Sequence, residues 1–270
     1  MNPAIVMALA VALGATAPAQ AGSDPISEVV EAPSWSDVSG AVQNASKVLL
    51  ITDLDNTVME PAQEIGSDQW YRYLVRKALA EGESQDAAID KALALWVRVQ
   101  LNTNVAPTES GLPEILEALQ ARGPRTMGLT ARPVNLAERT IQELNSVGVA
   151  FHIAPPAPGF SWPEAAYRDG VLFVGAKANK GEVLRHFLAA SREAGYWPDR
   201  IIFVDDLMKN VTDMQAAVKD LGIDFYGFRY GMADAKVRGF DAEIADFELG
   251  CFDRYGRIVS DESARLGKCF

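Results

Sequence analysis

The stretch Lys47-Val-Leu-Leu-Ile-Thr-Asp53-Leu-Asp55-Asn-Thr57 constrains the fold more than any other part of this chain. An unbroken apolar run of this length, rich in β-branched residues, suits a buried strand. It stops abruptly at two aspartates one residue apart. In open α/β sheets ligands bind outside the carboxyl ends of the strands, so acids delivered there are better explained by chemistry than by packing. A second run of the same kind, Ile201-Ile-Phe-Val-Asp205-Asp206, also ends in acids. With 270 residues and 49% hydrophobic content, the chain can bury one large core, or a core plus a smaller cap.

Two further segments fall between these runs. Arg125-Thr-Met-Gly-Leu-Thr130 is a short strand-like run ending in a hydroxyl, and Ala178-Asn-Lys180-Gly-Glu-Val-Leu184 opens a helical pattern with a lysine. Taken in order, Asp53-Leu-Asp55-Asn-Thr57, Thr130, Lys180 and Asp205-Asp206 resemble the four motifs of the haloacid dehalogenase-like (HAD) superfamily, the first matching its DxDxT signature. The resemblance spans roughly residues 48 to 214, most of the chain. It implies an α/β fold, a Rossmann-like parallel sheet with helices on both faces.

The same resemblance implies a phosphatase that works through an aspartyl-phosphate. Asp53 is then the nucleophile toward phosphorus, and Asp55 protonates the leaving group and later takes a proton from water. Attack by a carboxylate on a phosphate dianion is electrostatically opposed, so such a site needs a hard cation and fixed donors. Magnesium prefers oxygen ligands, with one or two carboxylates beside substrate phosphate. By resemblance it is held by Asp53, the backbone carbonyl of Asp55 and Asp206, since Asp206-Leu-Met-Lys-Asn210 repeats the family's acid-x-x-x-acid/amide spacing. Asp205 is a further ligand or an orienter behind the ligands. Thr130 gives its hydroxyl to a phosphoryl oxygen, and Lys180 neutralises nucleophile and phosphoryl group as a point charge. Arg132, in Thr130-Ala-Arg132-Pro133, contacts substrate or forms a supporting ion pair.

Each residue also has a plainer reading. Asp205 and Asp206 suit a helix cap, Thr130 a structural hydroxyl and Lys180 a solvated surface charge. Only the constellation raises them above those roles. A calcium loop starting at Asp53 would end at Glu64, but Val58 sits where that loop needs glycine. Cys251-Phe-Asp-Arg-Tyr-Gly-Arg257 has the C-x5-R spacing of cysteine-dependent phosphatases. Asp253 inside it would repel an anion, and no strongly apolar strand feeds it. His152 and His186 are the only histidines, which excludes metal chemistry built on several of them. A net charge of −11 argues against nucleic acid and against an anionic membrane surface as partners.

Residues 1–21 read as a bacterial-type secretory signal peptide, the plainer reading being an uncleaved anchor or a disordered tail. They hold an uncharged apolar run from Ala4 to Ala15, too short to span a bilayer, followed by small residues at Ala17, Ala19 and Ala21. No stable membrane span is expected after cleavage, and the protein is expected to be periplasmic or secreted. Export would place Cys251 and Cys269 where a disulfide can form and staple the tail; in a reducing compartment they would stay thiols.

The remaining organisation follows from these landmarks. A polar segment from about Gly22 to Asn44 precedes the first core strand. Between Thr57 and Thr130 lies far more chain than the dozen or so residues, roughly, of a crossover connection. Trp70–Leu79 and Ala87–Leu101 have helical character, with Gly82-Glu-Ser84 breaking them. Residues 59–110 therefore read as a mostly helical cap inserted after the first motif, between core segments 22–58 and 111–270. In HAD enzymes such caps close over the site and select substrates. Pro113–Arg122 and Val134–Val147 read as helices, and Asp169-Gly170 as the turn of a small hairpin inside an irregular insertion, 149–177. Asn210–Leu221 reads as a core helix, Asp224–Tyr230 as a strand, and the tail as helical and then irregular.

The resulting expectation is an exported, magnesium-dependent phosphatase acting on a phosphorylated small molecule or phosphoprotein. The other readings are a non-catalytic secreted metal- or ligand-binding protein on the same scaffold, and a phosphomutase. Trp70, Tyr71 and Tyr73 stack on a substrate ring or belong to the core.

Overall fold

The computed structural model describes residues 24–42 and 47–270. The expected signal peptide, residues 1–21, lies outside the described residues. In chain order the elements begin with β1 (Ser27–Ala32), α1 (Trp35–Ala41) and β2 (Val48–Thr52). Next come β3 (Met59–Pro61), α2 (Asp68–Ala80), α3 (Gln85–Gln100), β4 (Val105–Pro107), α4 (Leu112–Ala121) and β5 (Arg125–Thr130). A short 3-10 turn, Val134–Leu136, leads into α5 (Ala137–Ser146). The chain continues through β6 (Ala166–Arg168), β7 (Val171–Phe173), α6 (Lys180–Glu193), β8 (Arg200–Asp205), α7 (Met208–Val218) and β9 (Asp224–Tyr230). It ends with α8 (Asp234–Arg238), α9 (Ala242–Tyr255) and α10 (Asp261–Arg265).

The two apolar runs ending in acids become neighbouring central strands. The main sheet has the order β1-β9-β8-β2-β5-β7-β6, with every pairing parallel except β6 with β7. Residues of β2 alternate between two cores, as a two-residue side-chain period requires. Leu49 and Ile51 pack with Ile201, Phe203 and Met127 against Val183, Phe187, Val211 and Met214 of α6 and α7. Val48 and Leu50 pack with Ile202 and Val204 against Trp35, Leu116 and Leu144 of α1, α4 and α5. Helices therefore cover both faces, and each fully buried Leu, Ile or Phe contributes about 1.5–3 kcal/mol of apolar transfer. Because β2, β5 and β8 run parallel, Asp53, Thr130 and Asp205 all emerge at one edge of the sheet.

The polar segment before the first core strand contributes a strand and a helix to this core. β1 is an edge strand paired in parallel with β9, and Trp35 is fully buried with its indole N–H donating to the Thr57 carbonyl at 3.0 Å. An edge strand has one partner and one solvated side, so Ser27-Glu-Val-Val-Glu shows no apolar run. Its partner lies nearly two hundred residues away, a pairing no local pattern announces. The hairpin is also more than a loop decoration. Asp169 and Gly170 both take positive φ, 47° and 77°, as a two-residue primed turn requires, but β7 then pairs in parallel with β5. It extends the main sheet. A Cβ on Gly170 would lie 2.6 Å from that of Phe151, so glycine is required there for space as well as for φ.

Between β2 and β5 the insert holds α2 and α3, capped by the Ser67 and Ser84 side chains, and a two-stranded antiparallel ribbon of β3 and β4. Its buried residues Ile65, Trp70, Trp96 and Val99 share a cluster with Ala245 and Phe252 of α9. The helical tail thus braces the insert. Cys251 and Cys269 form a disulfide with a Cα separation of 5.4 Å, closing a loop across 18 positions. No helix among the described residues is long and apolar enough to cross a membrane. Replacing both cysteines by serine should lower unfolding free energy by about 2–4 kcal/mol, judged from loop length, measured as a shift in the urea midpoint.

Candidate active site

The site is assembled where β2, β5 and β8 end. The Asp53 N–H donates to the Val204 carbonyl at 2.8 Å, which locks the strand end before the chain turns. Asn56, at φ 59°, and the N–H groups of Val58 and Met59 returning to Leu54 fold the next residues into a tight loop. Lys180 is the first residue of α6, behind the Asn179 cap, so the helix start aims its side chain at the strand ends. Its Nζ donates to Asp53 Oδ1 at 2.6 Å and Asp205 Oδ2 at 2.8 Å. Lys180 is buried, so neither contact is screened by bulk water.

Asp205 is saturated with donors. It accepts from Lys180, from the Leu207 N–H at 2.9 Å, and from Asn210 Nδ2 at 2.9 and 3.0 Å on its two oxygens. Asp206 is not. Its N–H donates to Thr57 Oγ1 at 3.1 Å, and its carboxylate meets only a long contact from Asn56 Nδ2 at 3.3 Å among the described residues. One carboxylate oxygen each from Asp53, Asp205 and Asp206 come within 4.8 Å of one another. Burial pushes the Asp53 carboxyl up to about 7, Lys180 opposing and Asp205 and Asp55 adding. Burial, then Asp53 and Asp205, also raise Asp206 well above the usual carboxylate range. For Lys180 burial acts downward, yet Asp205 and Asp53 outweigh it and hold the ammonium above its ordinary range.

The donor set fits a hard divalent cation. It is all oxygen, it carries more negative charge than Lys180 offsets, and the Asn56 Oδ1 beside Asp206 is buried without a partner.

Asp55 and Thr130 form the other half. Arg132 grips Asp55 bidentately, Nε to Oδ2 at 2.9 Å and Nη2 to Oδ1 at 2.8 Å, and its Nη1 reaches Glu143 at 2.5 Å and Thr140 at 3.1 Å. The Trp96 ring lies 5.4 Å from the guanidinium carbon. Of the two roles open to Arg132, a supporting ion pair is the one displayed, since its side chain is 1% exposed. Thr130 Oγ1 accepts the Arg132 N–H at 3.1 Å and keeps its own proton to donate. The structure thus brings together Asp53, Lys180, Asp205 and Asp206, and sets Asp55, Arg132 and Thr130 beside them as a linked group. Asn210 turns its amide to Asp205 rather than to Asp206.

Residues of the insert also reach the site. Asp68 shares a small depression with Asp55, Arg132, Tyr71, Leu93 and Trp96, and pairs with Arg72 at 2.6 Å. Burial raises the Asp68 carboxyl, with Arg72 opposing. The sequence hid both, because an acid after a serine cap and a cation four residues on read as an ordinary helix start with a surface ion pair.

A family model matches residues 31–265, from β1 to the end of α10. The chain belongs to that family, described as Protein of unknown function (DUF2608). Chlamydial relatives of this DUF2608 protein are named as candidate outer membrane proteins. One from Chlamydia pneumoniae is 25% identical over 218 residues, 80% of each chain, and one from Chlamydia trachomatis matches to the same extent. Among solved structures, a candidate phosphatase from Clostridium difficile is similar at a TM-score of 0.44 and 14% identity, covering 72% of this chain and 99% of that one. A class C acid phosphatase from Bacillus anthracis with tungstate bound is similar at 0.36 and 18% identity, covering 85% and 82%.

Relief of the carboxylate repulsion gives a test of the centre that needs no activity. At pH 8 with chelator, Asp206→Asn should melt several degrees above wild type, about 2–4 °C for each kcal/mol of repulsion removed. Added divalent cation should raise the melting temperature of wild type and leave the variant unmoved.

Proposed function

We propose that this DUF2608 protein is a HAD-like phosphatase that hydrolyses phosphate monoesters with Mg2+ as cofactor. One observation carries the reading: a buried lysine bridges Asp53 and Asp205 at the ends of adjacent strands, while the neighbouring Asp206 is left short of donors. A merely structural lysine would satisfy its carboxylates and leave none over.

Asp53 Oδ attacks phosphorus, forming the aspartyl-phosphate as the ester P–O bond breaks. The leaving oxygen takes its proton from Asp55. Water then attacks the same phosphorus, Asp55 accepting its proton, and phosphate leaves with Asp53 restored. Arg132 positions Asp55, which must exchange one of its two bonds to Arg132 for the leaving oxygen. Thr130 donates to a phosphoryl oxygen, and Lys180 offsets charge on the nucleophile and the incoming group. Asp53, Asp206 and the Asp55 carbonyl would hold the cation, which when bound supplies the positive charge that lets two anions approach. Asp205 keeps Lys180 in place.

Residues 59–110 act as the cap on a core of 22–58 and 111–270, with Asp68 and Arg72 facing the substrate. The substrate is a phosphorylated small molecule or phosphoprotein, and the acidic chain disfavours nucleic acid. Export to the periplasm or beyond is supported by the leader-like first 21 residues, the disulfide and the names of the chlamydial relatives. The bidentate hold on Asp55 favours one competing reading, a binding protein that retains the cation site without turnover.

Hydrolysis of p-nitrophenyl phosphate by the purified protein separates them. Turnover should require Mg2+, stop in chelator, and fall by on the order of 10³-fold or more in Asp53→Asn. Asp55→Asn should lose about 10²–10⁴-fold and keep the cation-dependent melting shift. A folded, cation-binding protein with no turnover would decide for the binding protein.

A further inference from the structure

A second group of acids lies away from the strand ends, where the leader of α2 meets α9 and α10. Glu248 is fully buried in α9. Its Oε2 accepts the Ile65 N–H at 2.9 Å, and its Oε1 has no partner. Glu64, 6% exposed, has an unpartnered buried Oε2, and its N–H donates to Asp261 Oδ1 at 3.1 Å. Three carboxyl groups therefore converge on one short stretch of backbone.

The surrounding groups do not fully neutralise them: the Asp241 backbone and Lys236 favour the charged form of Glu64, but burial and Asp261 outweigh both. Lys236 of α8 gives its Nζ to the Pro61 carbonyl at 2.6 Å and to Glu60 at 3.1 Å. Arg265 of α10 reaches Asp261 only at 4.0 Å and is largely exposed. Asp241, capping α9, adds a further acid. A buried ionised carboxylate without a partner is too costly to persist, and the cheapest remedy is a proton. A cation is the other remedy. Among the described residues, however, the group of three or more acids whose ligand atoms all lie within 4.8 Å of one another is Asp53, Asp205 and Asp206, not this one.

We propose that Glu248 and Asp261, with Glu64 beside them, share a bound proton and form an acid-closed clasp fastening the C-terminal helices to the leader of α2. The clasp sits at a strategic joint. Ile65 runs directly into Ser67 and α2, whose Asp68 borders the candidate active site and pairs with Arg72. On the other side Cys251, in the same helix as Glu248, is stapled to the tail. Losing the proton places repulsion between the insert and α9, which braces it. The inference stands on these contacts alone and is independent of the phosphatase reading.

The direction of the pH dependence follows from linkage. Burial, with Asp261 adding, pushes the Glu248 carboxyl up to about 8, and burial and Asp261 raise Glu64. An unfolded glutamate titrates near ~4.3. A group that binds its proton more tightly when folded stabilises fully below the unfolded value. That contribution is lost as pH rises through about 8.

Thermal unfolding of the full chain across pH 5 to 9, in chelator, tests this against Glu248→Gln, whose amide mimics the protonated carboxyl. The two should melt together at pH 5, and the variant should melt progressively higher as pH approaches 9. The aspartates of the strand ends are common to both proteins and cancel in the difference. Carboxyl-carbon NMR should show a glutamate titrating near pH 8 in wild type and absent from Glu248→Gln. If that variant does not fold, Asp261→Asn should flatten the same melting profile. A difference that does not change with pH would overturn the proposal. So would a difference that calcium or magnesium abolishes, which would make the occupant a cation.

Discussion

The contact on which the site depends is the buried bridge from Lys180 to Asp53 and Asp205. Removing an ion from water costs several kcal/mol, and only close opposite charge offsets it. Here one ammonium serves two carboxylates at 2.6 and 2.8 Å, and a third, Asp206, lies alongside. The arrangement is stable enough to form yet leaves surplus negative charge, the condition under which a cation binds. Everything that sets the geometry of this bridge is far away in sequence: the register of β2 against β8 and the start of α6.

The same logic of incomplete compensation recurs in the rest of the molecule. Arg132 is held between Asp55 and Glu143 and satisfies both, so that half of the site is rigid. The acids at Glu64, Glu248 and Asp261 have no such cation and turn to a proton. The insert lies between the two groups. Its helices carry Asp68 and Arg72 to one and hang from the other, so its position is tied to both.

Much of this was legible before any coordinates. The apolar runs into Asp53 and Asp206 predicted central strands because burial on both faces leaves an uninterrupted pattern. Lys180 at a helix start was readable from the helical pattern that it opens. The strand inside the polar segment before β2 is not legible, for the converse reason. β1 is an edge strand with few buried positions, and its partner β9 is at the far end of the chain. The hairpin turn at Asp169-Gly170 was evident locally, whereas the parallel pairing of β7 with β5 was not. Asp68, Arg72 and Glu248 are polar residues on helices, and a helix has a solvent side by default. Only packing reveals that Glu248 is buried and that Asp68 borders the site.

By itself the sequence determined the central strands and most of the longer helices, that acids stand at strand ends, and that one lysine opens a helix, because these follow from the periodicity and chemistry of neighbouring residues. The tertiary structure alone decided that Lys180 spans Asp53 and Asp205, that Asp206 is left short of donors, that Arg132 grips Asp55, and that the tail acids meet the insert. Those facts depend on distances between residues tens to hundreds of positions apart. Such distances are fixed by strand register and helix packing, which no local pattern encodes.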